Sequence, residues 1–207
     1  MPISNDEQLI EALRRINEDV KDVQKYLNTA VTSVPSYKLK FAFPSGYMRG
    51  TEKHRAKYWF IRDHTLRSNI SYNLVFYDLL RWVNERIQLH KPADNMVIKH
   101  MIIIIGAVCE VLALQVAGKG KFVKLITRLK EKGIIDGKLE AELDWLRQAR
   151  NLIHYDKQDK YELSRYQPLD LQRAVEILEQ FTQALSDHCE SDPAYVDLKK
   201  FRDTLAT

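Results

Sequence analysis

Residues 101–117, MIIIIGAVCEVLALQVA, are the most apolar stretch of the chain and restrict its fold more than any other segment. The stretch is short for a membrane-spanning helix and contains the carboxylate of Glu110. Its apolar residues lie on all sides of a helix, as is typical of a helix that is buried on most of its surface. We therefore predict the central helix of a bundle and no membrane association. A buried carboxylate requires a partner, so Glu110 should face a cation or a donor.

Few residues break helices in this chain, because only seven glycines and six prolines occur among 207 residues. Together with an ordinary apolar content of 45%, this predicts an all-α protein with a four- or five-helix bundle. We divide the chain into an N-terminal helix (1–30), a basic and aromatic irregular connector (31–67), the bundle (68–190) and a short C-terminal helix (191–207).

Local signals place several helix boundaries in the bundle. Gly118 and Gly133 are predicted to end helices, because glycine readily adopts the backbone conformation of a helix stop. Asp136 can cap the start of the next helix, and Pro168 fits the first turn of the last long helix. The first bundle helix is predicted over residues 71–89.

The N-terminal helix carries a regular apolar seam. Ser4 and Glu7 are predicted to form a capping box at its start. Beyond them, apolar residues recur at alternating steps of four and three, as in a short coiled coil. These seam residues are Leu9, Leu13, Ile16, Val20, Val23 and Leu27. The seam fits either a helix that lies on the domain or an arm that pairs with a second copy of the chain.

Residues 37–67 concentrate positive charge and aromatic rings. Eight Lys or Arg residues stand against two acidic residues, a local net charge of +6 in a chain of net charge +4. Basic and aromatic residues alternate in this way in proteins that bind single-stranded nucleic acid, since cations contact phosphates and rings stack on bases. The predicted contacts to nucleic acid are Lys53, Arg55, Lys57 and Arg62. Alternatively, the rings anchor the segment to the bundle and the charges are solvated.

Residues 143–156, LDWLRQARNLIHYD, bring together a candidate chemical site. Residues three, four and seven positions apart share one face of a helix, which groups Arg147, Arg150, Asn151 and His154. Two guanidinium groups beside an imidazole can hold a phosphate and move a proton. Without any function, however, a His near a helix C-terminus is stabilised by the helix dipole, by about 0.3–1 kcal/mol.

This cluster and the helices around it resemble the HEPN superfamily (higher eukaryotes and prokaryotes nucleotide-binding) over about residues 71–189. HEPN domains are four- or five-helix bundles whose signature is an Arg, usually followed by Asn or another polar residue, and a His four to six residues later. Arg147 has this spacing, with six residues before His154, whereas the Arg-Asn dipeptide is Arg150-Asn151, three residues before His154. Either arginine can therefore correspond to that of the family. The position of Glu110 in an earlier helix is also similar to HEPN members.

The resemblance implies a metal-independent endoribonuclease that acts as a homodimer on single-stranded RNA, as a toxin or a phage-defence effector, with an antitoxin or another regulatory protein as a further partner. It implies that His154 acts as acid or base while Arg150 and Arg147 stabilise the phosphate. Asn151 would orient a reacting group, and Glu110 would hold an arginine in place. Tyr155 is a candidate for stacking on a base.

Two other functions fit the same residues. The first is a non-catalytic HEPN-like module that binds RNA, a nucleotide or a protein, with Arg150 as the structural partner of Glu110. The second is a purely structural assembly protein that pairs through the N-terminal seam. The six histidines and two cysteines are not spaced as zinc ligands, and no glycine-rich phosphate loop is present, so we predict neither a metal nor a cofactor. The chain begins without a signal peptide, and its two cysteines suggest no disulfide framework, so we expect a cytoplasmic protein.

Overall fold

The computed structural model describes residues 2–29, 40, 46–152 and 166–205. Within these residues all regular structure is helical, which confirms the predicted all-α class. The helices are α1 (Asp6–Thr29), α2 (Thr51–Lys57), α3 (His64–Arg86), α4 (Lys91–Ala117), α5 (Phe122–Glu131), α6 (Gly137–Asn151), α7 (Pro168–Ser191) and α8 (Val196–Leu205), and a 3-10 turn at Pro193–Tyr195 precedes α8. The chain divides into two compact units, residues 1–44 and 45–207.

The first unit contains α1, whose cap differs from the prediction. Asn5 is the capping residue, because its side chain accepts a hydrogen bond from the backbone N–H of Gln8 at 2.9 Å. The Gln8 side chain in turn accepts from the backbone N–H of Ser4 at 2.9 Å. The predicted pair of Ser4 and Glu7 is thus wrong by one position. Asn5 and Gln8, one residue further along, carry side chains that can make the same kind of hydrogen bonds. None of the residues of α1 is buried.

The second unit is organised around α4, as predicted from residues 101–117. Helix α4 packs against α3, α5, α6 and α7, and its middle is fully buried at Met101, Ile102, Ile105 and Cys109. By length and composition α4 could cross a membrane, but 61% of its most apolar 18-residue window is buried inside the protein. The burial of this window follows from the packing of apolar residues on every side of the helix.

Most helix boundaries in the second unit follow the local signals of the sequence. Gly118 and Gly133 end α4 and α5 with positive φ angles of 83° and 70°. The Asp136 side chain caps α6 by accepting from the backbone N–H of Leu139 at 2.7 Å. Pro168 occupies the first turn of α7. These four predictions are confirmed, because each depends on a residue whose backbone or side chain acts within one helical turn.

The predicted irregular connector, residues 31–67, is partly helical where the structure describes it. It contains α2 and the beginning of α3, which starts at His64 rather than at Ser71. The start is fixed by Asp63, whose carboxylate accepts from two backbone N–H groups of the first turn. Between the two helices lie four consecutive side chains of the core, which are Tyr58, Trp59, Phe60 and Ile61. These aromatic rings therefore anchor the segment to the bundle.

Candidate functional site at the end of helix α6

The C-terminal end of α6 places Arg150 against α4. The guanidinium Nη1 of Arg150 donates to a carboxylate oxygen of Glu110 in an ion pair. Both side chains are only partly exposed, at 23% for Arg150 and 27% for Glu110. The sequence required a partner for Glu110, and the structure supplies Arg150. Glu110 thus accepts from one of the five N–H donors that a guanidinium carries.

Gly106 allows α6 to approach α4 at this point. A Cβ atom added to Gly106 would lie 3.1 Å from the Cβ of Arg150 and 3.3 Å from its Cδ. The stem of Arg150 therefore occupies the space that any larger residue would fill. Since Gly106 and Glu110 are four residues apart on one face of α4, they contact the stem and the charged head of the same side chain. This arrangement fixes the direction of the guanidinium.

Arg147 has a different partner from Arg150. Its Nε donates to the carboxylate of Asp144 at 2.7 Å, and Gln148 donates to the other oxygen of the same carboxylate. The hydrogen bond from Arg147 lowers the pKa of Asp144 below its ordinary value, although burial acts in the opposite direction. The two arginines of the cluster thus lie on α6 with separate carboxylates, one on a neighbouring helix and one on α6 itself.

Helix α6 ends at Asn151, with Leu152 as its C-cap. Asn151 is half-buried at this end of the helix, in the turn that carries Arg150. His154 and Tyr155, the predicted acid–base residue and the predicted stacking residue, lie outside the described residues. The structure therefore brings Arg150, Glu110 and Asn151 to one end of α6, and the role of His154 stays a prediction.

The chain returns to this end of α6 at Tyr166. The Tyr166 hydroxyl donates to the backbone carbonyl of Ala149 at 3.4 Å, and its own carbonyl accepts from the side chain of Asn95 at 2.6 Å. The ammonium of the buried Lys99 lies 5.9 Å from the centre of the Tyr166 ring. Sequence reasoning missed Lys99 and Asn95 as neighbours of the site. The signal that could have found Lys99 is its spacing of seven from Gly106 on an otherwise apolar helix.

The predicted contacts to nucleic acid do not form one free surface. Arg55 pairs with Glu52 on the same helix at 2.5 Å. Arg62 donates to the backbone carbonyl of Ala194 and lies over the ring of Tyr195 at 5.0 Å. Arg55 thus pairs within α2, and Arg62 contacts the 3-10 turn near the C-terminus. Lys53 and Lys57 are exposed on α2.

A second polar cluster, missed by sequence reasoning, lies where residues 49–57 meet α3. The fully buried carboxylate of Asp78 accepts from Arg49 three times, from its backbone N–H at 3.1 Å, Nε at 3.0 Å and Nη2 at 2.6 Å. The Nε2 of the buried His54 lies 3.3 Å from the same carboxylate. Asp78 is 29 residues from Arg49 and 24 residues from His54, so no local spacing reveals the cluster.

This cluster shifts the protonation of its members. Burial, and then the charge of Arg49, lowers the pKa of His54 below its ordinary value, against the opposing effect of Asp78. A neutral imidazole can donate to Asp78 through its Nε2–H. For Asp78, burial acts to raise the pKa, but the hydrogen bonds from Arg49 outweigh burial and the pKa lies below its ordinary value. The cluster is therefore most stable with Asp78 charged and His54 neutral.

Among the described residues, no three His, Cys, Asp or Glu side chains are grouped as metal ligands. Comparison with models of known protein families, with curated proteins and with solved structures found no match to this chain.

Proposed function

We propose that this chain is a HEPN-type, metal-independent endoribonuclease that cleaves single-stranded RNA at the end of α6. The observation that supports the proposal most directly is the position of Arg150. Its stem lies on Gly106 and its head pairs with Glu110, so that one cation is held in a fixed direction beside Asn151. A fixed cation is what a developing phosphorane charge requires, because it stabilises that charge without reorganising during the reaction.

His154 supplies the acid–base chemistry in this proposal. It follows Leu152 by two residues, and two peptide units span at most roughly 7 Å. In the reaction, the 2′-oxygen of a ribose attacks the adjacent phosphorus and forms a P–O bond, while the bond from phosphorus to the 5′-oxygen breaks. The 2′-hydroxyl proton passes to a base and the 5′-oxygen receives a proton from an acid. An imidazole can do either near neutral pH.

A homodimer fits this chemistry, because two copies of His154 would provide the base and the acid at one phosphate. Arg150, and Arg147 beside it, would contact the non-bridging oxygens. Family analogy gives the role of a toxin or a phage-defence effector, with an antitoxin or another regulatory protein as a partner.

The test is cleavage of a labelled single-stranded RNA by the purified full chain in EDTA. We expect cleavage by the wild-type protein and a loss of at least about a hundredfold in His154→Ala, as for removal of a general acid or base. Arg150→Gln should lower the rate by about a hundredfold, as for removal of one charge-stabilising donor. Comparing the cleavage rates of Arg147→Gln and Arg150→Gln shows which arginine acts on the phosphate.

Arg173→Gln is the matched control for these arginine variants. Arg173 also pairs with a carboxylate on another helix, Glu142 on α6, at 2.6 Å, but it lies on α7 and outside the cluster. Its loss should leave cleavage unchanged. Circular dichroism of each variant establishes that it is folded. Intact RNA with high wild-type enzyme across a range of pH, or full activity of folded His154→Ala, contradicts the proposal.

A binding module without catalysis is the second candidate function. It is favoured by the observation that both Arg147 and Arg150 have carboxylate partners, which compensate their charges. Such a module would bind RNA with an affinity that falls as the salt concentration rises, and it would leave the RNA intact. The same labelled RNA, followed by fluorescence anisotropy at several salt concentrations, distinguishes this function from cleavage.

A further inference from the structure

A small cavity of about 90 Å³ lies beside the cluster of Arg49, His54 and Asp78. It is enclosed by α2, α3, α4 and α7, and it is lined by Leu74 and Ile105 on its apolar side. Its volume is well above the space that a single water molecule requires and comparable to that of a few waters. The cavity is thus large enough for a small polar group and too small for a nucleobase with its ribose.

The polar lining of the cavity is predominantly basic. Arg49, Lys57 and Arg81 contribute three cations, and Glu179 contributes one carboxylate. The Asp78 carboxylate behind Arg49 compensates one of these charges. Tyr77, which is buried, adds a phenol, so that donors outnumber acceptors around the cavity.

Two observations indicate that the cavity favours an anion. The Nε of Arg81 is buried and has no hydrogen-bond partner among the described residues. Such a buried donor without an acceptor is uncommon and costs free energy. The second observation is that Arg49 and Lys57 line the same cavity as Arg81, with Glu179 as the one carboxylate among the lining residues. A bound anion would accept from the Nε of Arg81 and offset this excess of positive charge.

The residues that line the cavity differ in exposure: some of its cations are open to solvent, whereas other polar groups are buried. Lys57 and Glu179 are exposed, and the side chain of Arg49 is 41% exposed, whereas His54 and Tyr77 are buried. An anion can thus reach Arg49 and Lys57 from solvent. Cations on a partly enclosed surface bind anions more strongly than fully solvated ones, because screening by water is weaker there.

The geometry points to a binding site for a phosphate group in this cavity, held by Arg49, Lys57 and Arg81. Among the described residues of the proposed catalytic site, Arg147, Arg150, Asn151 and Glu110 do not line this cavity. Guanidinium groups suit phosphate because they present several donors to its oxygens. The ligand is either free inorganic phosphate or the phosphate of a larger molecule whose remainder projects into solvent.

Titration of the full chain with inorganic phosphate, at constant ionic strength maintained with chloride, tests this site by calorimetry. We expect saturable binding of one phosphate per chain. Lys57→Gln should weaken binding by about tenfold or more, the usual effect of losing a hydrogen bond to a charged group. Lys124→Gln is the control, because Lys124 is an exposed lysine on α5 that does not line the cavity. It should leave the affinity unchanged.

Histidine resonances provide a second readout in the same titration. The chain has only six histidines, and of the five that the structure describes His54 lines the cavity. Its imidazole signals should shift with the midpoint obtained by calorimetry. Adenosine monophosphate distinguishes the two kinds of ligand. Displacement of bound phosphate by this nucleotide indicates that the site binds the phosphate of a larger molecule. Failure to displace it indicates that the site binds the free anion.

Three results overturn the inference. One is the absence of saturable binding at millimolar phosphate. Another is equal weakening by Lys57→Gln and Lys124→Gln, which indicates a general charge effect. The third is saturable binding that leaves the His54 signals unchanged, which places the anion elsewhere on the protein.

Discussion

Glu110 and Glu142 are similar carboxylates in different surroundings. Each side chain is 27% exposed and each pairs with an arginine on a neighbouring helix. Arg150 is 23% exposed with its stem against Gly106, whereas Arg173 is 43% exposed. Arg173 donates to Glu142 through two nitrogens and also lies over the ring of Trp145 at 4.1 Å, so it keeps a contact when Glu142 is removed. Removal of the carboxylate should therefore cost more stability at Glu110, where Arg150 loses its acceptor, than at Glu142.

We expect Glu110→Ala to lower the free energy of unfolding by about 1–3 kcal/mol, because Arg150 is left half-buried without its acceptor. Glu142→Ala should cost at most about 1 kcal/mol, because Arg173 is 43% exposed and retains its contact with Trp145. Urea unfolding followed by circular dichroism measures both. Equal losses would show that the surroundings of Arg150 do not restrict its movement.

His54 and Asp78 predict how stability depends on pH. The pKa of His54 is lowered in the folded protein, so folding opposes its protonation, and stability falls as the pH decreases below the ordinary value of 6.5. The pKa of Asp78 is also lowered, so its contribution is present above the ordinary value of 3.8 and is lost as the pH falls further. Both groups therefore lower the stability of the protein as the pH falls, and His54 does so at a higher pH than Asp78.

The measurement is the urea midpoint at several pH values between 7 and 5. We expect the midpoint of the wild-type protein to decrease over this range, and the decrease to be smaller in His54→Gln. His64→Gln, which removes an exposed histidine at the start of α3, serves as the control and should retain the wild-type slope. An unchanged slope in folded His54→Gln contradicts the assignment.

At the scale of single helices, the sequence predicts what is local. Gly118, Gly133, Asp136 and Pro168 each act within one turn of the residues they affect, and each boundary is found where expected. The short helix α2 was missed, because seven residues carry too little periodicity to distinguish a helix from a connector. Pairing between helices is not local, which is why the partner of Asp78 was not predicted.

The candidate site shows the same limit. The grouping of Arg150 with Asn151 follows from helical periodicity. The need of Glu110 for a partner follows from the apolar surroundings in the sequence. The family resemblance implies an arginine as this partner, and the non-catalytic alternative names Arg150. That Arg147 and Arg150 pair with different carboxylates, Asp144 and Glu110, was not predictable. It depends on which side of α6 faces α4, and Gly106 determines how closely the two helices approach.

Helix α1 makes a prediction about assembly. Its seam residues Leu9, Leu13, Ile16, Val20 and Val23 are 40–54% exposed, although they form a continuous apolar face. Such a face is stabilised when it is covered, by roughly 1.5–3 kcal/mol for each large side chain that becomes fully buried. We expect α1 to pair with α1 of a second copy, so that the full chain is a dimer.

Sedimentation equilibrium of the full chain tests this pairing. Ile16→Glu, which introduces a carboxylate into the seam of both copies, should weaken the dimer by at least about tenfold. Lys21→Gln lowers the net charge by the same one unit off the seam and is the control for net charge. A monomeric wild-type protein, or equal effects of the two variants, contradicts pairing through α1.

At the scale of the whole molecule, the bundle depends on part of the segment that the sequence predicted to be a basic and aromatic connector. Trp59 is 2% exposed, and its indole donates to the side chain of Ser186 on α7 at 3.1 Å. Its ring also makes an edge contact with Tyr195 in the 3-10 turn. The segment therefore joins the beginning of the second unit to its C-terminal helices.

We expect Trp59→Ala to lower the free energy of unfolding by about 3–5 kcal/mol, as for large-to-small changes of buried aromatic residues. Tyr72→Ala removes an aromatic side chain that is 54% exposed and should change stability by no more than about 0.5 kcal/mol. Urea unfolding compares the two. A small effect at Trp59 would indicate that the segment is not an integral part of the bundle.

The reactivity of the two buried cysteines can report where the bundle opens. Cys109 lies in the middle of α4 and Cys189 near the end of α7, both fully buried, and burial raises the pKa of both thiols, that of Cys189 to about 11. A thiol reagent therefore reaches either cysteine only when the surrounding helices open. The order in which the two sulfurs are modified reports whether the end of the bundle opens before its centre, without any engineered label.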